Sequence, residues 1–443
     1  MRDPEHAWRC AIDAVAGWLR SGRAPRELLS LDLSLRREPP AVRAAAAGLA
    51  RETVARWRAL EWTLGGDAGL GRLAPRERAA VLVIARLCER QALPLAAATA
   101  RAAGLGGPAG FDFAPLATVP ERLAALADPA RRLALSRSLP DWAARRFVAH
   151  FAGEADTVAA ALGEPPPRTI RANTLRVSSR DALARELADA GIPTRPAAYA
   201  PHALHVDGDA DLFATDAHAR GAFEQQDEAS QLGALATAPP PGGKVLDLCA
   251  GSGGKTLALA AAMQNRGAIL ATDVQVHRLE ALRERARRAG VDNTRAMALE
   301  DGPLGGAVLA FARIADRILV DAPCSGTGSW RRRPEGRWAL VEADLAALTA
   351  AQDGLLDRAI GALQPGARVV YATCSVLPEE NEQRVAAARE RWPWLEPVRL
   401  AELLGAAVAA PIADATGTFL SLRPDRHGCD GFFAAVLRRP RRS

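Results

Sequence analysis

Lysine is almost missing from this chain: Lys244 and Lys255 are the only two, although lysine and arginine together number 57 in 443 residues. The net charge of +6 is therefore carried by arginine. Arginine's planar, always-charged fork suits phosphates and base edges, which makes an acidic polymer a candidate partner. GC-rich codon usage gives the same bias, so charge alone decides nothing. Cysteine is scarce as well. Cys10, Cys88, Cys249, Cys324, Cys374 and Cys429 show no CxxC spacing, which argues against a zinc site or a disulfide framework, and no metal is expected. The opening MRDPEHAWRC lacks a basic segment followed by an apolar run, and no stretch approaches an uncharged membrane span. The expected setting is the reducing cytoplasm, away from membranes.

What is present comes first as helix. Trp8, Ala11, Ile12, Val15 and Leu19 recur at helical spacing, as do Ala46, Leu49, Val54, Trp57, Leu60 and Leu64. A third helix is predicted after Pro75, through Val81, Leu82, Ile84 and Leu87. With 443 residues and 49% hydrophobic content, two or three domains are expected. Residues 1–137 read as an all-helical domain. Residues 138–237 read as a small α+β domain: a helix around Trp142, Phe147 and Phe151, a strand from Thr169 to Val177, a helix from Arg180 to Ala190 and a short strand from His202 to Val206. Residues 238–443 read as an α/β domain with a doubly wound, mostly parallel, Rossmann-like sheet. It opens with a strand from Val245 to Leu248, a Gly-rich turn, a helix from Lys255, and a strand from Ala268 to Val274.

The Gly-rich turn is not the dehydrogenase GxGxxG, and Gly251 to Thr256 is one residue short of a Walker A loop. With Asp273 at the end of the next strand, it suits a ligand carrying ribose hydroxyls. Two later runs, RILV before DAPCSGTGSWRRRPEGRW and ARVVYA before TCS, read as buried strands that end just short of Cys324 and Cys374. Open α/β sheets put their chemistry at such strand ends, so two thiols there suggest covalent catalysis. Arg331, Arg332, Arg333 and Arg337 form either a solvated face or a holder for phosphates. Trp330 and Trp338 either stack on bases or pack.

The set VLDLCAGSGGKT, ATDV, LEDGP, DAPCSGTGSWRRRPEGRW, YATCSVLPEENE and DGFFAAVLRR resembles, in the same order, the S-adenosylmethionine-dependent RNA cytosine-C5 methyltransferases of the Sun and NOL/NOP family. EPPPRTIRANTL and FEQQDEASQL resemble that family's preceding segments. The helical opening is similar to the NusB-like RNA-binding domain of the bacterial member that modifies 16S rRNA. The resemblance implies Cys374 as nucleophile toward carbon 6 of cytosine, Cys324 as helper in releasing it, and Asp321 at ring nitrogen 3. It implies a donor site at Cys249, Ala250, Gly251, Ser252, Gly253, Gly254 and Lys255, with Asp273 at the ribose, Asp301 near the adenine and Asp321 near the methionine end. Lys255 is expected near a substrate phosphate or the active-site acid. The chain reads CAGSGGKT where the family usually has CAAPGGKT, a change that keeps a tight turn. The implied partner is RNA, 16S rRNA in the first place, with a monomeric protein. tRNA, 23S rRNA, a non-catalytic RNA-binding assembly factor and DNA cytosine methylation are the alternatives.

Overall fold

The computed structural model describes residues 4–32, 35, 37–208, 210–300 and 302–441, with the backbone only at 67. These form two compact units, Met1–Pro165 with Trp330–Glu342, and Pro166–Ser329 with Ala343–Ser443.

The first unit is helical. Its long helices Pro4–Ser21, Pro40–Thr63 and Pro75–Glu89 each begin on proline, whose missing N–H costs nothing at the first helical position. Ile12, Val15, Val54, Leu60 and the run Val81–Ile84 are fully buried and form the core. The helices Asp141–Phe151 and Ala155–Ala161 belong to this unit too, so the chain leaves it after Pro165 and not at the expected 137/138 boundary. The apolar face of Asp141–Phe151 supplies the reason: Trp142 and Phe147 pack on Trp330, each with ring centroids 6.2 Å from it.

Trp330 introduces a strap, Trp330–Glu342, whose side chains are built into the helical unit. The Trp338 ring nitrogen donates to the Val54 carbonyl at 3.0 Å, and its ring meets Trp57 edge-on at 5.1 Å. Both tryptophans pack.

The second unit contains two sheets. The small one runs β1 (Thr169–Ala172), β2 (Thr194–Pro196), β3 (Ala203–Val206) and β4 (Phe223–Gln225) in the antiparallel order β2-β3-β1-β4. The expected strand from Thr169 to Val177 stops at Ala172. Asn173 ends it by turning its side chain onto the Leu175 N–H at 3.1 Å and onto the carbonyls of Gly221 and Ala289, both at 2.8 Å. The helix Arg180–Asp189, capped by Ser179, covers this sheet with Leu183 and Leu187.

The large sheet holds β5 (Lys244–Asp247), β6 (Ala268–Asp273), β7 (Thr294–Ala298), β8 (Arg317–Asp321), β9 (Arg368–Thr373), β10 (Glu396–Pro397), β11 (Phe419–Leu422) and β12 (Phe432–Arg438). Its order is β10-β12-β9-β8-β5-β6-β7, with β11 on β12. β5 to β9 are mutually parallel, and β12 pairs antiparallel with β9. This is the mostly parallel, Rossmann-like sheet that the sequence predicts. The order reverses between β5 and β8, and the crevice outside the carboxyl ends of strands at such a switch point is where open α/β sheets bind ligands.

Candidate active site

β5 ends at Asp247 and the chain turns through Leu248–Gly254 into the helix Gly254–Ala262. Gly253 has φ +85°, and a Cβ there would lie 2.6 Å from Leu282 Cγ, so only glycine serves. β6 delivers Asp273 beside this turn. Its Oδ2 accepts the Gly251 N–H at 2.9 Å and its Oδ1 accepts the Gln275 N–H at 2.8 Å, each oxygen keeping a lone pair for a hydroxyl. Cys249, Ala250, Gly251, Ser252, Gly253, Gly254, Lys255 and Asp273 are thus gathered at one mouth of the sheet. Asp301, expected near an adenine, lies outside the described residues.

Asp247 was not singled out by the sequence. It is fully buried, accepts the Thr256 hydroxyl on Oδ2 at 2.7 Å, and its Oδ1 has no partner among the described residues. Burial pushes its carboxyl up to about 7, against the pull of Thr256. Its place at the end of the central strand was the available signal.

β8 and β9 are adjacent parallel strands, Asp321 standing opposite Ala372. The loops that follow place Cys324 Sγ 3.4 Å from Cys374 Sγ. Lys255 Nζ sits 2.7 Å from Asp321 Oδ2 and 5.0 Å from the Phe432 ring centroid, so of its two expected neighbours it meets the acid. Burial would depress the Lys255 ammonium, but Asp321, aided by Cys374 and Asp247, more than offsets this and holds it above the usual lysine range.

The two thiols are unlike. The S–H of Cys324 holds Cys374 below the ordinary thiol range, with help from Lys255 and Ser329 against burial and Asp321. Cys324 stands well above that range, through the same hydrogen bond, its burial, and the charges of Cys374 and Glu380. Of the two, Cys374 therefore gives up its proton more readily and Cys324 holds its own more tightly.

A buried frame fixes both loops. The Glu380 side chain accepts the Ser325 N–H at 2.8 Å, the Ser325 hydroxyl and the Gln352 amide at 3.1 Å. Gln352 also donates to the Pro323 carbonyl at 3.0 Å. Asn381 donates to the Ser375 carbonyl at 3.0 Å, and the Gly328 N–H donates to the Cys374 carbonyl at 3.0 Å. Glu380, Asn381 and Gln352 carry no assigned role in the sequence reading, though PEEN directly follows the TCS run.

Two of the four arginines do not lie on a solvated face. Arg337 is 1% exposed and Arg331 5%, both drawn into the helical unit with the strap and turned away from solvent. Arg332 is half-buried and Arg333 exposed. Among the described residues no group of His, Cys, Asp and Glu could hold a metal.

Residues 234–438 match the family model described as 16S rRNA methyltransferase RsmB/F, and residues 139–212 match a ferredoxin-like domain of RsmF/B-like methyltransferases. Ribosomal RNA small subunit methyltransferase B of Citrobacter koseri is 35% identical over 57% of this chain, a match that spans only 58% of that relative's length. The probable ribosomal RNA small subunit methyltransferase B of Bacillus subtilis is 31% identical over 71% of this chain and 69% of its own. A solved methyltransferase homologue from Pyrococcus horikoshii, 27% identical, superposes with a TM-score of 0.59 over 71% of this chain and 100% of that one. The paired cysteines, the Gly-rich turn and the large sheet thus lie in the matched region, and the chain belongs to the RsmB/F methyltransferase family.

Proposed function

We propose that this protein transfers a methyl group from S-adenosylmethionine to carbon 5 of a cytosine in small-subunit ribosomal RNA. The observation that carries the reading is the thiol pair, 3.4 Å apart beside the Lys255–Asp321 ion pair. The residues present fit the donor. Asp273 offers lone pairs to ribose hydroxyls, Gly251 and Gly253 let the backbone come close, and the unpartnered Asp247 Oδ1 awaits a donor group. When bound, the donor supplies an electrophilic methyl group on a sulfonium.

The chain's own residues do the rest. Carbon 5 of cytosine is a poor nucleophile, and thiolate addition at carbon 6 turns the ring into an enamine. Cys374, held as thiolate by Cys324 and Lys255, makes that bond. Asp321 faces ring nitrogen 3 and relays to it a proton from the Lys255 ammonium 2.7 Å away, which neutralises the negative charge that develops there. Bond formation also removes the thiolate that held Cys324's proton, so the largest cause of its raised pKa disappears. Once carbon 5 carries the methyl group, Cys324 gives its proton to water and as thiolate takes the one on carbon 5; the electrons of that bond form the carbon 5–carbon 6 double bond, Cys374 leaves as thiolate and nitrogen 3 returns its proton to the Lys255–Asp321 pair. The base reaches the site by leaving its stack. The same reading makes the protein a cytoplasmic monomer; no helix among the described residues is long and apolar enough to cross a membrane.

Bisulfite sequencing of total RNA from cells with and without the gene tests the reaction. One protected cytosine in small-subunit rRNA should lose its protection. In parallel, Cys324→Ala should accumulate a covalent RNA adduct on a denaturing gel and Cys374→Ala should form none. Loss of no site anywhere would sink the reading.

A further inference from the structure

The helical unit carries an open cleft of about 710 Å³, inside the roughly 300–1,000 Å³ range of small-molecule sites. Its lining combines apolar side chains, Leu95 and Leu116 among them, with four arginines, Arg56, Arg86, Arg137 and Arg337, and two glutamates, Glu89 and Glu164. Three of these have carboxylate partners: Arg56 pairs with Glu89 at 2.9 Å, Arg86 with the same Glu89 at 3.0 Å, and Arg137 with Asp156 at 2.5 Å.

Arg337 has none. Its two terminal nitrogens donate only to main-chain carbonyls, those of Ala55 and Ser138 at 3.3 Å and Leu162 at 2.5 Å. Its Nε donates to nothing among the described residues. At 1% exposure this is a buried guanidinium with no ion-pair partner among the described residues, and the cation of Arg56 lowers its pKa further. A buried unpaired charge is costly, and a site that retains one gains by accepting an opposite charge. Burial, with Arg56, pushes this guanidinium down to about 9, as expected where the counter-charge is missing.

We infer that this cavity binds a nucleotide, its phosphate against Arg337 and Arg56 and its base against Leu95 and Leu116. The volume and the apolar lining exceed what a bare phosphate needs. The inference does not rest on the methyl-transfer reading, since the cavity belongs wholly to the helical unit.

Calorimetry on the full chain, with S-adenosylhomocysteine saturating the donor site, tests it with inorganic phosphate, uridine 5′-monophosphate and octauridylate. The mononucleotide should bind at least about tenfold tighter than phosphate. Leu95→Glu, at a position 37% exposed that tolerates the change, should weaken mononucleotide binding at least about tenfold, and Arg337→Met should abolish it. Octauridylate tighter than the mononucleotide names an RNA strand as the source; equal affinity names a free nucleotide. Absence of binding by both uridine probes, or binding indifferent to Leu95→Glu, overturns the inference. Because Leu95 is outside the core, that variant decides even where Arg337→Met fails to fold.

Discussion

A thiol attacks only as its thiolate, so at the scale of residues the question is what makes Cys374 easier to deprotonate. The S–H of Cys324 comes first and the Lys255 ammonium assists. Lys255→Met removes that cation, and the thiolate becomes harder to form. The pH midpoint for alkylation of Cys374 by iodoacetamide should therefore move to higher pH; an unmoved midpoint would assign Lys255 to another task. Asp247 gives a prediction of stability. Its carboxyl titrates near 7 in the folded chain, against about 4 unfolded. A folded pKa raised in this way leaves its stability contribution intact below pH 4 and removes it progressively as pH rises to 7. Asp247→Asn, which cannot ionise, should gain on the parent across that window by up to roughly 4 kcal/mol and no further above it, measured by urea unfolding without donor. A difference that is flat between pH 4 and 7 would contradict the buried, unpaired carboxyl.

At the scale of elements, the site depends on three loops held together after β8, after β9 and before β12. Gly328 and Gly431 touch where two of them cross: a Cβ on Gly328 would lie 2.2 Å from the Gly431 carbonyl oxygen, a backbone atom that cannot swing aside. Gly328→Ala should therefore push the Cys324 loop away from β12, cost about 1–3 kcal/mol of stability, and lower kcat far more than donor affinity, read by steady-state kinetics beside calorimetry. Retained kcat would show that the loops adapt. The same loops show what was legible. β5, β6, β8 and β9 could be read from short apolar runs, and the two cysteines and Asp273 from their places just beyond them, because strand, turn and terminal residue are local in sequence. Glu380 was not legible as the clamp on Ser325, because its partners are assembled from separate loops. The four arginines were ambiguous for the same reason. A run of arginines looks alike whether it faces water or donates to carbonyls, and Arg337's acceptors at Ala55, Ser138 and Leu162 lie far away in the chain.

At the scale of the molecule, the strap sets the limits on how the chain can be divided. The chain leaves the second unit after Ser329, spends Trp330–Glu342 inside the first, and returns at Ala343. Within the helical unit that segment buries Trp330, anchors Trp338 on Val54 and gives the two terminal nitrogens of Arg337 three carbonyls. A fragment of residues 166–443 therefore cannot be a clean domain: two tryptophans lose their packing and Arg337 loses every acceptor. Exposed contiguous aromatic surface of this kind drives association. The fragment should aggregate on size-exclusion chromatography. The same fragment with Trp330–Glu342 replaced by a Gly-Ser linker of equal length should run as a single soluble species and bind S-adenosylmethionine within about threefold of the full chain, since Asp247, Gly251 and Asp273 all lie in the second unit. If the native-strap fragment is as soluble as the linker version, the strap does not need the helical unit. If the linker version also aggregates, the second unit depends on the first for more than covering these thirteen residues.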